Sequence, residues 1–138
     1  QVLQDKIEQT TFTISPEATV LEAISLMANK GIGAVVVTDQ DKVVGILSER
    51  DYTRKIMLME RTSKETSVSE IMTAKVLTVT KSTSVEDCLG LMTDRHLRHL
   101  PVVENDKLIG LISIGDLVKA VMEDQRKLID QLQQYIAS

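Results

Sequence analysis

The chain has 138 residues and a mass of 15.3 kDa, the usual size of one domain and enough to bury well over half of its unfolded surface. Its hydrophobic fraction of 43% is that of a soluble globular protein, and no apolar run approaches the roughly 20 residues of a helical bilayer span, so a membrane partner is not expected. A formal charge of -4, a pI near 5.2 and only three aromatic residues (Phe12, Tyr52, Tyr135) argue against nucleic-acid binding, which needs a positive surface and stacking platforms.

Near the start, Asp5 and Glu8 interrupt any apolar run, and no export signal is expected. A short extended start, Thr13 to Ser15, leads to a helix whose apolar residues Val20, Ala23, Ile24 and Met27 recur at helical spacing. Two strands follow, Ala34 to Thr38 and Val43 to Leu47, around a turn at Asp39-Gln40-Asp41-Lys42 in which the aspartates supply turn chemistry. A second helix runs from Glu49 to about Leu58. The polar stretch Glu60 to Ser67 is a seam, and Ser67 to Met72 reads as a short helix with Ser67 as N-cap and Glu70 three residues on.

The same order then recurs. An extended Val76 to Thr80 precedes a helix carrying Val85, Cys88, Leu89 and Met92. Strands Leu100 to Glu104 and Leu108 to Ile112 flank Asn105-Asp106-Lys107, and a last helix starts at Ile114. Thr13 to Met57 aligns without a gap on Thr78 to Met122, at a constant offset of 65 residues, with about a quarter of the positions identical. Such self-similarity is the mark of an internal duplication. The divisions are therefore repeat 1 at 13–57, repeat 2 at 78–122 and an unduplicated helical extension at 123–138, all within one module, 1–138. In that extension Val118, Val121, Met122, Gln125, Leu128, Leu132 and Tyr135 form a stripe that should pack on the same chain or on another subunit.

The motif shared most sharply is Gly45-Ile46-Leu47-Ser48-Glu49-Arg50-Asp51, repeated as Gly110-Leu111-Ile112-Ser113-Ile114-Gly115-Asp116, where a strand passes into a helix. One reading is a capping box, with Ser accepting from the helix's free N–H groups and Asp reaching back. The other is a ligand site, because an ionised Asp accepts from both hydroxyls of a ribose and a helix N-terminus favours an anion. The two are compatible. Arg50 adds a planar donor fork suited to phosphate, whereas its counterpart Gly115 adds nothing, so two such sites would be unequal. Gly33-Ala34 aligns on Arg98-His99 at the helix-to-strand junction, where the second pair either contacts a ligand or caps a helix end as solvated cations.

Cys88, the single cysteine, aligns with Ala23 on an apolar face, which fits packing and a reducing compartment such as the cytoplasm. His96 and His99 are too few for a metal site, and neither a nucleophile–base pair nor a phosphate-binding glycine loop is present, so no metal and no catalysis are expected.

Two ungapped units of extended start, helix, strand, strand and helix, each ending in Gly-h-h-Ser-x-x-Asp, with Glu70-Ile71-Met72-Thr73 before the second, resemble a CBS-domain pair, or Bateman module, over about 110 of the 138 residues. Ser48-Glu49-Arg50-Asp51 and Arg98-His99-Leu100-Pro101-Val102 are similar to bacterial stand-alone members. The resemblance implies an α/β (α+β) fold: tandem pseudo-twofold CBS repeats, each a small mixed sheet with two helices. Two clefts between the copies would bind AMP, ADP, ATP, NAD(H) or S-adenosylmethionine. Carried over by position, Asp51 and Asp116 would hold ribose hydroxyls, with Ser48 and Ser113 near ribose or phosphate. Arg50 would meet phosphate in the first cleft. Arg98 and His99 would face the second cleft or the opening between the two. Gly33 lies opposite Arg98 in the alignment, and Ile14, Ala34, Ile46, Leu100 and Ile112 would wall the adenine. A homodimer and a separate regulated partner protein are also implied, giving a regulatory nucleotide sensor, with a ligand-independent dimerising scaffold as the alternative. Two departures stand out: Gly115 in the second motif, and Pro101 where the first copy has Val36.

Overall fold

The computed structural model describes residues 11–57 and 60–137; Asp5, Glu8 and the expected helix end at Leu58 lie outside them. The first copy comprises β1 (Thr13–Ile14), α1 (Val20–Lys30), β2 (Ala34–Asp39), β3 (Lys42–Ser48) and α2 (Glu49–Tyr52). A linker helix, α3 (Val68–Ile71), precedes the second copy, which holds α4 (Val85–Arg95), β4 (His99–Glu104), β5 (Lys107–Ser113) and α5 (Ile114–Ala137). β1 is parallel to β2 and β2 antiparallel to β3, while β4 and β5 form an antiparallel pair.

The helices begin and end where their sequences dictate. Thr19 caps α1 by accepting from Glu22 N–H at 3.2 Å, and the Glu22 carboxylate accepts from Thr19 N–H at 3.3 Å. At the other end, Gly31 turns left-handed (φ 64°), and the N–H groups of Gly31 and Ile32 both reach Met27 O. His96 makes the same turn after α4 (φ 55°) without glycine's freedom. Both hairpins close on two residues of positive φ, Gln40-Asp41 and Asn105-Asp106, the backbone form whose twist suits flanking strands.

Two departures from the expected elements stand out. α2 is a single α-turn that widens into a π-helical segment, Thr53–Met57, rather than a continuous helix. At this junction the Thr53 hydroxyl donates to Glu49 O at 3.1 Å. In the second copy the counterpart of β1 shrinks to one bridge, Val79 with Val102. Val79 N–H donates to Pro101 O at 3.0 Å, but Pro101 has no N–H to extend the ladder as Val36 can.

Each copy has its own core. In the first, Val20, Ala23, Met27, Val35, Val37, Leu47 and Ile56 are joined by Val68 and Ile71 from the linker; in the second, Val79, Val85, Cys88, Met92, Leu100, Val102, Ile112 and Leu117 pack together. Burying Val68 and Ile71 contributes about 1.5–3 kcal/mol apiece, which anchors the linker on the first copy. There Thr73 bridges Ile46 across the edge of β3, with N–H···O distances of 2.9 and 3.0 Å. The copies approach each other along β3 and β5.

Candidate functional site

β3 and β5 both end in a serine whose extended backbone hands the chain to a helix, so Ser48 and Ser113 stand at equivalent corners beside the boundary between copies. Their counterparts across the boundary are the junctions α1–β2 and α4–β4. The glutamate and isoleucine that follow the serines are tied to these junctions within each copy: Glu49 N–H donates to Gly33 O at 3.0 Å and Ile114 N–H to Arg98 O at 2.9 Å.

Two clefts result, each combining the strand-to-helix motif of one copy with the helix-to-strand junction of the other. The first, about 300 Å³, is lined by Ile46, Ser48, Glu49, Arg50, Asp51, Arg54 and Thr73 from the first copy's side, and by His96, Leu97, Arg98 and His99 from the second. The second cleft, about 310 Å³, brings Leu111, Ser113, Asp116 and His99 against Thr11, Phe12 and Gly31 to Ala34. Gly33 and His99 line both.

Most of the residues read from the sequence lie in these clefts, but not all in the expected one. Arg98 stands with Asp51, not with Asp116. Leu100 and Ile112 are buried in the second core, and Ile14 packs against the first core rather than walling a cleft. The cause is strand parity: successive side chains point to opposite faces, so a choice one residue off selects the core instead of the cleft. The true counterpart of Ile46 is Leu111, and that of Ala34 is His99. Sequence reasoning also passed over Arg54, Thr73, His96 and Phe12. Arg54 was legible, since it follows Arg50 by four residues and shares its helix face; Thr73 and Phe12 arrive only through tertiary packing.

The capping-box geometry is present in both motifs. Ser48 N–H and Oγ donate to Asp51 Oδ2 at 3.0 and 3.1 Å, and Asp51 N–H donates to Ser48 Oγ at 3.2 Å. Ser113 N–H donates to Asp116 Oδ2 at 2.9 Å, with Asp116 N–H returning to Ser113 Oγ at 3.1 Å. The second oxygens differ. Asp51 Oδ1 accepts from Thr73 Oγ1 at 3.4 Å and lies 3.7 Å from Lys55 Nζ. Asp116 has Ala120 at the position of Lys55, and its Oδ1 makes no hydrogen bond among the described residues.

Electrostatically the clefts are unlike. Arg50, Arg54 and Arg98 line the Asp51 cleft against Glu49 and Asp51, whereas among the described residues Asp116 and His99 are the titratable groups lining the other cleft. Burial pushes the His99 imidazole below the usual histidine range; Asp116 opposes this, Arg98 reinforces it and Glu49 opposes it. Cys88 is buried, as expected, and burial followed by the charge of Asp87 raises its thiol. Among the described residues no His, Cys, Asp and Glu grouping of three or more is placed to hold a metal ion, and no helix is long and apolar enough to cross a membrane.

The family model of the CBS domain matches twice, at residues 7–58 and 68–123. Among solved structures, a protein with CBS domains from Burkholderia ambifaria is 57% identical, with a TM-score of 0.80 over 84% of this chain and 85% of that one. The mitochondrial CBS domain-containing protein CBSX3 of Arabidopsis thaliana is 43% identical over 123 residues, 86% of this chain; the alignment spans 60% of that protein's length. At 19% identity the fold alone is shared with a CBS domain pair solved in complex with 5′-methylthioadenosine and S-adenosyl-L-methionine (TM-score 0.81, 90% of this chain and 98% of that one).

Proposed function

This chain belongs to the CBS-domain family, as two CBS domains in one polypeptide, and we propose that it is a regulatory sensor that binds an adenine nucleotide between its copies and acts on a separate partner protein. The observation that carries this reading is the composition of the clefts. Each is lined from both copies, so a ligand in either one touches both and its affinity depends on how they are arranged. A ligand with different affinities for two arrangements shifts the balance between them, which is what a sensor without catalysis requires. A pair of the same fold that holds two adenosyl ligands supports the ligand class. AMP, ADP, ATP, NAD(H) and S-adenosylmethionine form the candidate panel. A reducing compartment, the cytoplasm in this reading, suits the buried free thiol of Cys88.

A homodimer is part of the proposal. Met122, Leu128, Ile129, Leu132 and Tyr135 of α5 are exposed, which matches a helix whose apolar stripe is covered by a second copy.

One observation favours the alternative, a scaffold with vestigial clefts: both carboxylate oxygens of Asp51 already have partners within the chain. Thermal melting against the panel separates the two readings. A ligand at 100 times its dissociation constant adds about 2.7 kcal/mol, so at least one compound is expected to raise Tm by several degrees. No shift with any of them sinks the sensor. The shift is compared with that of Asp51→Asn and Asp116→Asn, each measured against its own ligand-free Tm because the change also alters the bond that the carboxylate accepts from the serine N–H.

A further inference from the structure

We propose that the two clefts take different ligands at the same time: the Asp51 cleft a phosphate-bearing nucleotide, the Asp116 cleft an adenosine-type ligand without phosphate. This rests on the adenine-nucleotide reading above and assigns the chemistry of each cleft within it.

The inference comes from where the duplication has diverged. Three arginines line the Asp51 cleft, and they come from both sides: Arg50 and Arg54 from the first copy, Arg98 from the second. Their counterparts at the offset of 65 residues are Gly115, Lys119 and Gly33. Two of the three have no side chain to offer, and Lys119 does not line the Asp116 cleft. Lys30, whose Nζ sits 5.2 Å from the Phe12 ring centre, is not among the residues lining that cleft either. Counting Arg, Asp and Glu among the described residues, the lining charges are three positive and two negative in one cleft and a single negative in the other. A phosphate is drawn to the first and repelled by the second.

The Asp116 cleft is furnished instead for a nucleoside. Asp116 Oδ1 is open to ribose hydroxyls, whereas Asp51 Oδ1 is shared with Thr73 and Lys55. Phe12 gives the second cleft an aromatic wall for a base, and its counterpart Leu77 lines neither cleft. Small residues at Gly31, Gly33 and Ala34 leave room where the first cleft has His96, Arg98 and His99. Recognition in the Asp51 cleft is therefore weighted to the phosphates, and in the Asp116 cleft to ribose and base.

Isothermal titration of the full chain with ATP, and with adenosine after ATP saturation, tests the division. One ATP per chain is expected, weakened on the order of tenfold by Arg54→Gln or Arg98→Gln and within about twofold of wild type in Asp116→Asn. One adenosine per chain should still bind to the ATP-loaded protein, with the reverse sensitivity. Raising salt should weaken ATP and leave adenosine nearly unchanged. Gly115→Arg is expected to create a second ATP site; a Cβ there meets only Ser113 Oγ, at 3.7 Å, an ordinary contact distance. Two equivalent ATP sites in the wild type, competition of ATP with adenosine for one site, or ATP binding indifferent to both arginine variants overturns the division while leaving the nucleotide reading intact. If neither ATP, adenosine nor any compound of the melting panel binds, both fall.

Discussion

His99 lines both clefts, and its proton balance is set mainly by burial, which disfavours the imidazolium. The groups facing it are Asp116, Arg98 and Glu49. For a base whose folded pKa lies below its unfolded value near 6.5, the unfolded chain binds more protons between those two values, so stability rises with pH there. The contribution is complete above about pH 6.5 and lost as pH falls through the folded value. Melting followed by circular dichroism from pH 7.5 to 5.5 should show Tm falling below pH 6.5, and His99→Gln should flatten that segment; an unchanged slope in the variant would remove His99 as its source. His96 carries a different cost. Held left-handed at φ 55° where the first copy has glycine, it should yield a more stable chain as His96→Gly, by about 1 kcal/mol in denaturant titration. Equal or lower stability would mean that its side-chain contacts outweigh the backbone strain.

Between elements, the joint that matters most to the Asp51 cleft is the linker strand against β3. Gly45 permits it: a Cβ there would lie 2.5 Å from Met72 Sδ and 3.0 Å from Thr73 O. Gly45→Ala is expected to destabilise by about 1–3 kcal/mol and to displace Thr73 from Asp51, read as a lowered Tm together with a changed ATP affinity. A neutral outcome would show that the linker gives way freely. The two hairpins and the helices α1, α3, α4 and α5 correspond to expected ones because helical periods, caps and turn residues are written in the local sequence. The π-helical segment after α2 was not legible, since the apolar spacing of Glu49 to Leu58 does not separate it from a continuous α-helix. The choice of Leu100 and Ile112 as cleft walls failed for another reason: in strands covered on one face by core and on the other by a cleft, both faces are apolar, and hydrophobicity alone does not tell them apart.

At the scale of the molecule, α5 is the element that the described residues cover least. It is 24 residues long, about 36 Å, and its buried residues Leu117 and Ala120 fall in its first third. Beyond Asp124 every described residue of α5 is exposed, so the stripe through Leu128, Ile129 and Leu132 is not buried by the other described residues. Sedimentation of the wild type should give twice the chain mass at micromolar concentration. Leu132→Asp, at a position 53% exposed in the single chain, should weaken association by about 30-fold or more without lowering the monomer's own helix content. A monomeric wild type would leave the stripe to a different protein.

What the sequence determined by itself is the duplication, and with it the paired motifs Ser48–Asp51 and Ser113–Asp116, because repeats and caps are properties of residues near one another in the chain. What only the tertiary structure decided is which residues share a cleft. The copies meet face to face, so each motif opposes the other copy's junction rather than its own. Arg98 is thereby carried to Asp51, and the glycines 31 and 33 to Asp116. Each cleft is an agreement between segments far apart in sequence, and the cations gather in one cleft only when the two halves are brought together.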